Sequence, residues 1–353
     1  MTGLIPAADP LGLPVPVWIL LTLKVFGFFL HLMFMNLWLA GLPTALVLLL
    51  ARPVVAERLF HALPFFMAFG INAGIVPLLF LQTLYPQFFY PATILQAWFW
   101  FAVIPLLLIA YYAVYLASFN KFRVGAALVA TLFIFIIGLM FSSAMTLTAN
   151  PQEWPKIFLG SNQGGAVHGI YFYFTLEVLL RFSMVVGMAF GTLAAYFIII
   201  AEWFAKTPAD KTELRNMAPI YLLGALIYVI AGAAYAVTVL QSVPRIPFFA
   251  AGASLIVGVL LTASYWKSPG RAKGVALILA QFSLLVSNAI ARQWVQFNEL
   301  MKWYDPNTAP IRGEWGSFAL FMIMLVIALI LIAWIGLTAL RRTRNNAQNQ
   351  FTN

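Results

Sequence analysis

Residues 17–50 read VWILLTLKVFGFFLHLMFMNLWLAGLPTALVLLL, and in these 34 positions Lys24 and His31 are the only ionisable side chains. A helix rises about 1.5 Å per residue and the hydrocarbon core of a bilayer is about 30 Å thick, so about 20 apolar residues suffice to cross it. The stretch is longer than one crossing requires, yet no charged break divides it. It is expected to tilt or to project beyond the bilayer.

Working outward, eight further segments of the same character follow, near 59–84, 96–117, 124–148, 170–201, 217–240, 247–265, 274–297 and 317–340. The fold class expected is an all-α integral membrane protein with about nine transmembrane helices. Composition agrees: 63% of the 353 residues are apolar and 8% are charged, against roughly 45–50% and about 25% in soluble domains. A chain so poor in charge cannot cover its surface in water, which excludes a soluble fold and intrinsic disorder. Cysteine is absent, which excludes disulfides, iron–sulfur clusters and covalently attached haem c.

Lys and Arg give an orientation, because basic loops are retained on the cytoplasmic side. Alternate loops and the tail carry Arg52, Arg58, Lys121, Arg123, Lys206, Lys211, Arg215, Lys267, Arg271, Lys273, Arg341, Arg342 and Arg344, whereas the opposite loops carry Lys156, Arg245, Lys302 and Arg312. That 13-to-4 division leaves Lys24, Arg181 and Arg292 inside spans. The amino terminus is therefore expected outside and the carboxyl terminus in the cytoplasm, as an odd number of spans requires. The net charge of +10 is read as this topology signal, with some attraction to anionic lipid, and implies no nucleic acid.

The expected organisation is an external segment 1–16, a four-helix bundle 17–148, an external loop 149–169, a second bundle of five spans 170–340, and a polar, mobile cytoplasmic tail 341–353. The opening segment has four prolines, Asp9 and no basic region, unlike a cleavable signal. Tyr85, Tyr90, Trp154, Trp203, Trp266, Trp303 and Trp315 gather at span ends, where aromatic rings prefer the headgroup layer.

Ionisable groups in lipid cost several kcal/mol unless paired or turned to a cavity, so the few present mark candidate sites. His31 lies near the middle of the first span, with Lys24 one heptad earlier and Gly27 and Met35 one turn to either side. Gly27 is expected to leave room for a flat ligand. The imidazole can bind iron or hydrogen-bond a neighbouring helix, and spacing alone leaves both open. Glu177 and Arg181 are one turn apart and can neutralise each other, with Met184 and Met188 continuing their face. Asn288 and Arg292 form another one-turn polar pair, followed by Gln293 and Trp294. Arg292 could grip a carboxylate bidentately or reach outward to the interface. His61 and His168 fall at the inner and outer interfaces, so no two histidines share a depth. A haem would then use His31 alone, a His–Met pair or an external ligand. Between Arg58 and Gln152 there is no Asp or Glu, so spans two to four hold no carboxylate to relay protons.

Three short motifs resemble subunit I of the cytochrome bd-type terminal oxidases: His31-Leu32-Met33-Phe34 with Gly41 following, Phe69-Gly70-Ile71-Asn72, and Ala291-Arg292-Gln293-Trp294. Nine spans with an outside amino terminus are also similar to that family. The resemblance implies that His31 ligates haem iron in the first bundle and that Arg292, in a degraded Gly-Arg-Gln-Pro-Trp motif, lies near haem propionates. Lys24, Trp294 and Met184 complete the cofactor-binding set. The departures are large. The family's proton-carrying glutamate on span three is missing, and Ala289 stands where its iron-binding glutamate would fall on span eight. Ser183-Met184 replaces the low-spin haem histidine on span five. No Met occurs between Met217 and Met301, and the quinol-binding loop shrinks to Gln241–Pro247.

The function expected is a haem-binding subunit of a respiratory electron-transfer complex, carrying haem b or a related type and not acting as a standard quinol oxidase. Any enzyme activity would be that of a cytochrome bd-like oxidoreductase within a complex. The partners expected are a second integral membrane subunit and an external c-type cytochrome, in the inner membrane of a prokaryote. Two alternatives stand beside it: a haem-free scaffold of a redox complex, and a small-molecule or ion transporter using Lys24, Glu177, Arg181 and Arg292.

Overall fold

The computed structural model describes residues 5–120, 122–163, 166–167, 172–238 and 245–349. His168 and Lys121 lie outside the described residues, as does most of the 241–247 connection. Among the described residues, nine helices are long and apolar enough to cross a membrane, and the chain is a multi-pass helical membrane protein.

The helices are α1 (Val17–Ala51), α2 (Pro53–Leu84), α3 (Pro86–Ser118), α4 (Arg123–Ala149), the short α5 (Trp154–Ser161), α6 (Leu176–Ile199), the short α7 (Pro208–Arg215), α8 (Ile220–Thr238), α9 (Arg245–Lys267), α10 (Arg271–Met301) and α11 (Trp315–Asn349). A single turn of π-helix, Ile200–Phe204, extends α6, and two two-residue strands, Asn162–Gln163 and Ala166–Val167, pair in the loop after α5.

Several boundaries depart from the sequence reading, for local reasons. Pro53 and Pro86 open α2 and α3, because proline fits the first helical turn, where its missing N–H has no partner to lose. These helices therefore begin earlier than 59 and 96. Ala97, with φ of 38°, breaks α3 into two arms, and the apolar run near 96–117 is the second of them. The fifth span starts at Leu176 rather than 170, capped by Thr175, whose hydroxyl accepts from the Val178 N–H. At the other end, α11 remains helical to Asn349, so the expected break at 341 is not a structural boundary.

Helices α1 to α4 form one four-helix group, and α6, α8, α9 and α10 form another against α1 and α4. The two groups are joined by polar side chains buried between them. The Asn36 amide donates to Thr192 Oγ1 at 3.0 Å, and the Gln281 amide donates to the same oxygen at 3.0 Å and to the Met188 carbonyl at 3.1 Å. Such bonds and close backbone approach hold helices together in lipid, where the hydrophobic effect gives little. At the crossing of α6 and α8, a Cβ on Gly187 would stand 2.7 Å from the Tyr228 nitrogen.

The segment before α1 returns to the α10–α11 connection: the Leu13 N–H donates to the Pro310 carbonyl at 2.8 Å, and the Arg312 N–H donates to the Leu13 carbonyl at 2.9 Å. The opposite end is an electrostatic clasp. Arg58 meets Asp210 at 2.9 Å, and Glu202, whose side chain is fully buried, meets Arg215 at 2.7 Å and Lys211 at 3.1 Å and accepts from the Tyr265 hydroxyl at 2.8 Å. Between clasp and site, Leu42, Ala45, Leu59, Phe60, Leu63 and Phe197 are packed with little or no exposure. By contrast, α11 presents Leu320, Ile323, Met324, Ile330 and Trp334 outward, touching the rest where Phe321 meets Phe80 at 5.8 Å.

Candidate functional site

Helix periodicity sets Lys24 and His31 on one face of α1, and both line a cavity of about 290 Å³ enclosed by α1, α2, α3, α4, α6 and α10. His31 stands near the centre of its 35-residue helix. Its Nδ1 lies 2.7 Å from the Gly70 carbonyl; a carbonyl can only accept, so Nδ1 carries the proton and donates. Nε2 is then left with a lone pair and no hydrogen-bond partner among the described residues. The ring comes this close to α2 because Gly74 has no side chain: a Cβ there would lie 2.7 Å from His31 Nδ1. Gly27 does not serve as expected. A Cβ on it would meet Val76 Cγ1 at 2.9 Å, so it seats α1 against α2 rather than opening space for a ligand.

Lys24 is 6% exposed. Its ammonium donates to Gln296 Oε1 at 2.5 Å and lies 5.7 Å from the centroid of the Tyr85 ring. Arg292 reaches inward, its guanidinium carbon 4.5 Å from the Phe28 centroid, so the outward, snorkelling course is not taken. No ion pair to Lys24 or Arg292 occurs among the described residues. Nor do Asn288 and Arg292 pair, because the Asn288 amide donates to the Tyr228 hydroxyl at 3.1 Å instead. Two donors on the cavity wall, Trp38 Nε1 and Gln293 Nε2, are buried without an acceptor. Buried polar groups are ordinarily satisfied, so this surplus of donors and positive charge suits a ligand that brings acceptors.

The Glu177–Arg181 pair forms as the spacing requires, at 3.3 Å, and Arg181 also donates to Thr146 Oγ1 at 3.2 Å. Arg181 and Met184 do not face His31. They line a second cavity of about 270 Å³ between α6, α8, α9 and α10, which shares Arg292, Ser142 and Val185 with the first. Each volume lies just below the usual range for small-molecule sites, about 300–1,000 Å³. Trp294 lines neither cavity and is half exposed on the outside of α10. His61 stands near the clasp, 3.8 Å from Glu57.

Met35 and Met145 are the thioethers on the wall of this cavity; the second, on α4, escaped the sequence reading, as did Trp38 and Gln296. Phe69-Gly70-Ile71-Asn72 contributes its Gly70 carbonyl and the Ile71 side chain, while the Asn72 amide turns back to the Ala68 carbonyl at 2.8 Å. No group of three or more His, Asp or Glu able to hold a metal ion occurs among the described residues. The Nε2 lone pair is available to a ligand in the cavity, and the cations on the same wall suit acidic substituents on that ligand. No protein-family model matches the chain, and no curated protein matches it.

Proposed function

We propose that the chain is a haem-binding integral membrane subunit of an electron-transfer complex, with His31 as the iron ligand and Arg292 and Lys24 as partners of the haem carboxylates. The observation that carries the reading is the His31 imidazole, held by its Nδ1 proton to the Gly70 carbonyl. Metal-bound histidines ordinarily donate the other ring nitrogen's proton in this way, which fixes the tautomer and the ring plane. When bound, the haem supplies one-electron transfer at its iron.

The chain's own residues do the positioning. Gly70 and Gly74 set the height and rotation of the imidazole. Gln296 aims the Lys24 ammonium, and the Phe28 ring supports the Arg292 guanidinium through a cation–π contact worth about 0.5–2 kcal/mol. The packed apolar half beyond His31 excludes water from the cavity floor. A haem b type, a second membrane subunit and an external c-type cytochrome belong to this proposal, since without cysteine the chain cannot itself attach haem c. An amino end outside the cytoplasmic membrane of a prokaryote also belongs to it, supported by the basic residues of the clasp end.

The test is a pyridine haemochrome assay on protein purified in mild detergent from cells supplied with a haem precursor. The proposal expects about one haem b per chain in wild type and a loss of most of it in His31→Ala. A haem-free, folded wild-type protein would refute it in favour of the scaffold.

A further inference from the structure

We infer that the second cavity is a binding site for an acidic acyl amphiphile, its anionic headgroup held by Arg292 and Arg181 and its chain leaving sideways between α8 and α9. Arg292 lines both cavities, so its guanidinium would meet a haem carboxylate on one side and this headgroup on the other, and in the haem-free chain the headgroup alone.

Charge comes first. Arg181 and Arg292 both line the cavity. Arg181 is answered by Glu177 at 3.3 Å. Glu299, also on α10, is ion-paired with Lys302 at 2.5 Å. Arg292 meets only the Phe28 ring, so the region carries one guanidinium charge without an anion among the described residues. A carboxylate or phosphate is the group a planar fork of N–H donors fits best. Tyr228 and Asn288, already bonded to each other at 3.1 Å, give the headgroup end a polar wall.

Shape supplies the chain. Away from the arginines the lining is apolar, with Phe248, Val229 and Leu255 beside the small Gly232, Ala233, Ala251 and Gly252. Helix α8 packs on α6 and α9 packs on α10, while α8 and α9 touch each other sparsely. A Cβ on Gly252 would find nothing within 4 Å, and one on Gly232 would come no nearer than 3.7 Å, to Met184 Cε. A slot bordered by two such glycines and open to the lipid side admits an acyl chain without displacing protein. A free fatty carboxylate and an acidic phospholipid share the required chemistry.

The experiment is native mass spectrometry of the full chain, delipidated in nonionic detergent and titrated with oleate, phosphatidylglycerol, oleyl alcohol or acetate. The expected result is one equivalent of oleate or phosphatidylglycerol bound at least tenfold more tightly than oleyl alcohol, with acetate not retained. Whichever acidic ligand binds identifies the source. Arg292→Gln is expected to abolish the preference for acid over alcohol. Gly252→Leu is expected to weaken both chains at least tenfold, and His31→Ala to leave binding within twofold of wild type. Ala233→Leu repeats the slot test if Gly252→Leu does not fold. Equal binding of acid and alcohol, retention of acetate as well as oleate, or acid binding unchanged in Arg292→Gln and in the slot variant would overturn the inference. Loss of haem with retention of oleate would sink the haem proposal alone.

Discussion

Substituting Gly74 by alanine probes the His31 contact with one added carbon. That Cβ would fall 2.7 Å from His31 Nδ1 and 2.8 Å from Cε1, well inside van der Waals contact, so the imidazole must move away from α2. Moving it stretches the 2.7 Å bond to the Gly70 carbonyl, worth about 1 kcal/mol net. Overpacking costs about 1–3 kcal/mol more, and alanine returns about 1 kcal/mol of helix propensity. The net expectation is a destabilisation of about 1–3 kcal/mol, with haem occupancy falling because the iron ligand is displaced. Gly125→Ala is the control: its Cβ would find nothing within 4 Å, so propensity acts alone and stability is expected to rise by up to about 1 kcal/mol. Reversible unfolding in mixed micelles measures both. Equal stability in the two variants, or unchanged haem content in Gly74→Ala, would show that the added carbon does not displace His31.

Three further outcomes follow from the same contacts. Glu202→Gln takes a fully buried carboxylate from Arg215, Lys211 and Tyr265; because both cations reach the surface, the loss is expected near about 3 kcal/mol, the low end for a broken buried pair. Tyr265→Phe removes one hydrogen bond to that carboxylate and is expected to cost about 1–2 kcal/mol in the same unfolding assay. Lys24→Met removes a buried cation that has no anion among the described residues, so the haem-free protein is expected to gain about 1 kcal/mol or more. The same variant is expected to bind haem at least several-fold more weakly, which titration with hemin measures. A stability loss there would mean that the Lys24–Gln296 bond outweighs the desolvation of the charge.

The spans were legible because an apolar run of 20 or more residues has no other use, and the shared face of Lys24 and His31 follows from helical periodicity alone. The Glu177–Arg181 pair was legible for the same reason. The rest of the cavity wall was not, because it arrives from distant sequence: Gly74 from α2, Met145 from α4, Gln296 from α10. Lys24 meets a partner 272 positions away, and no local pattern encodes that. Adjacent residues on a helix point about 100° apart, which is why Arg292 and Gln293 face inward while Trp294, next in the motif, faces out. Asn288 and Arg292 sit one turn apart and still do not bond, because the Tyr228 hydroxyl, from another helix, takes the Asn288 amide.

Whether His31 Nε2 holds haem iron is read from the reduced-minus-oxidised absorption spectrum of the purified chain. The account predicts a Soret and α-band difference in wild type that is lost in His31→Ala, with folding intact by circular dichroism. A wild-type protein without these bands, or a His31→Ala spectrum identical to wild type, would contradict it.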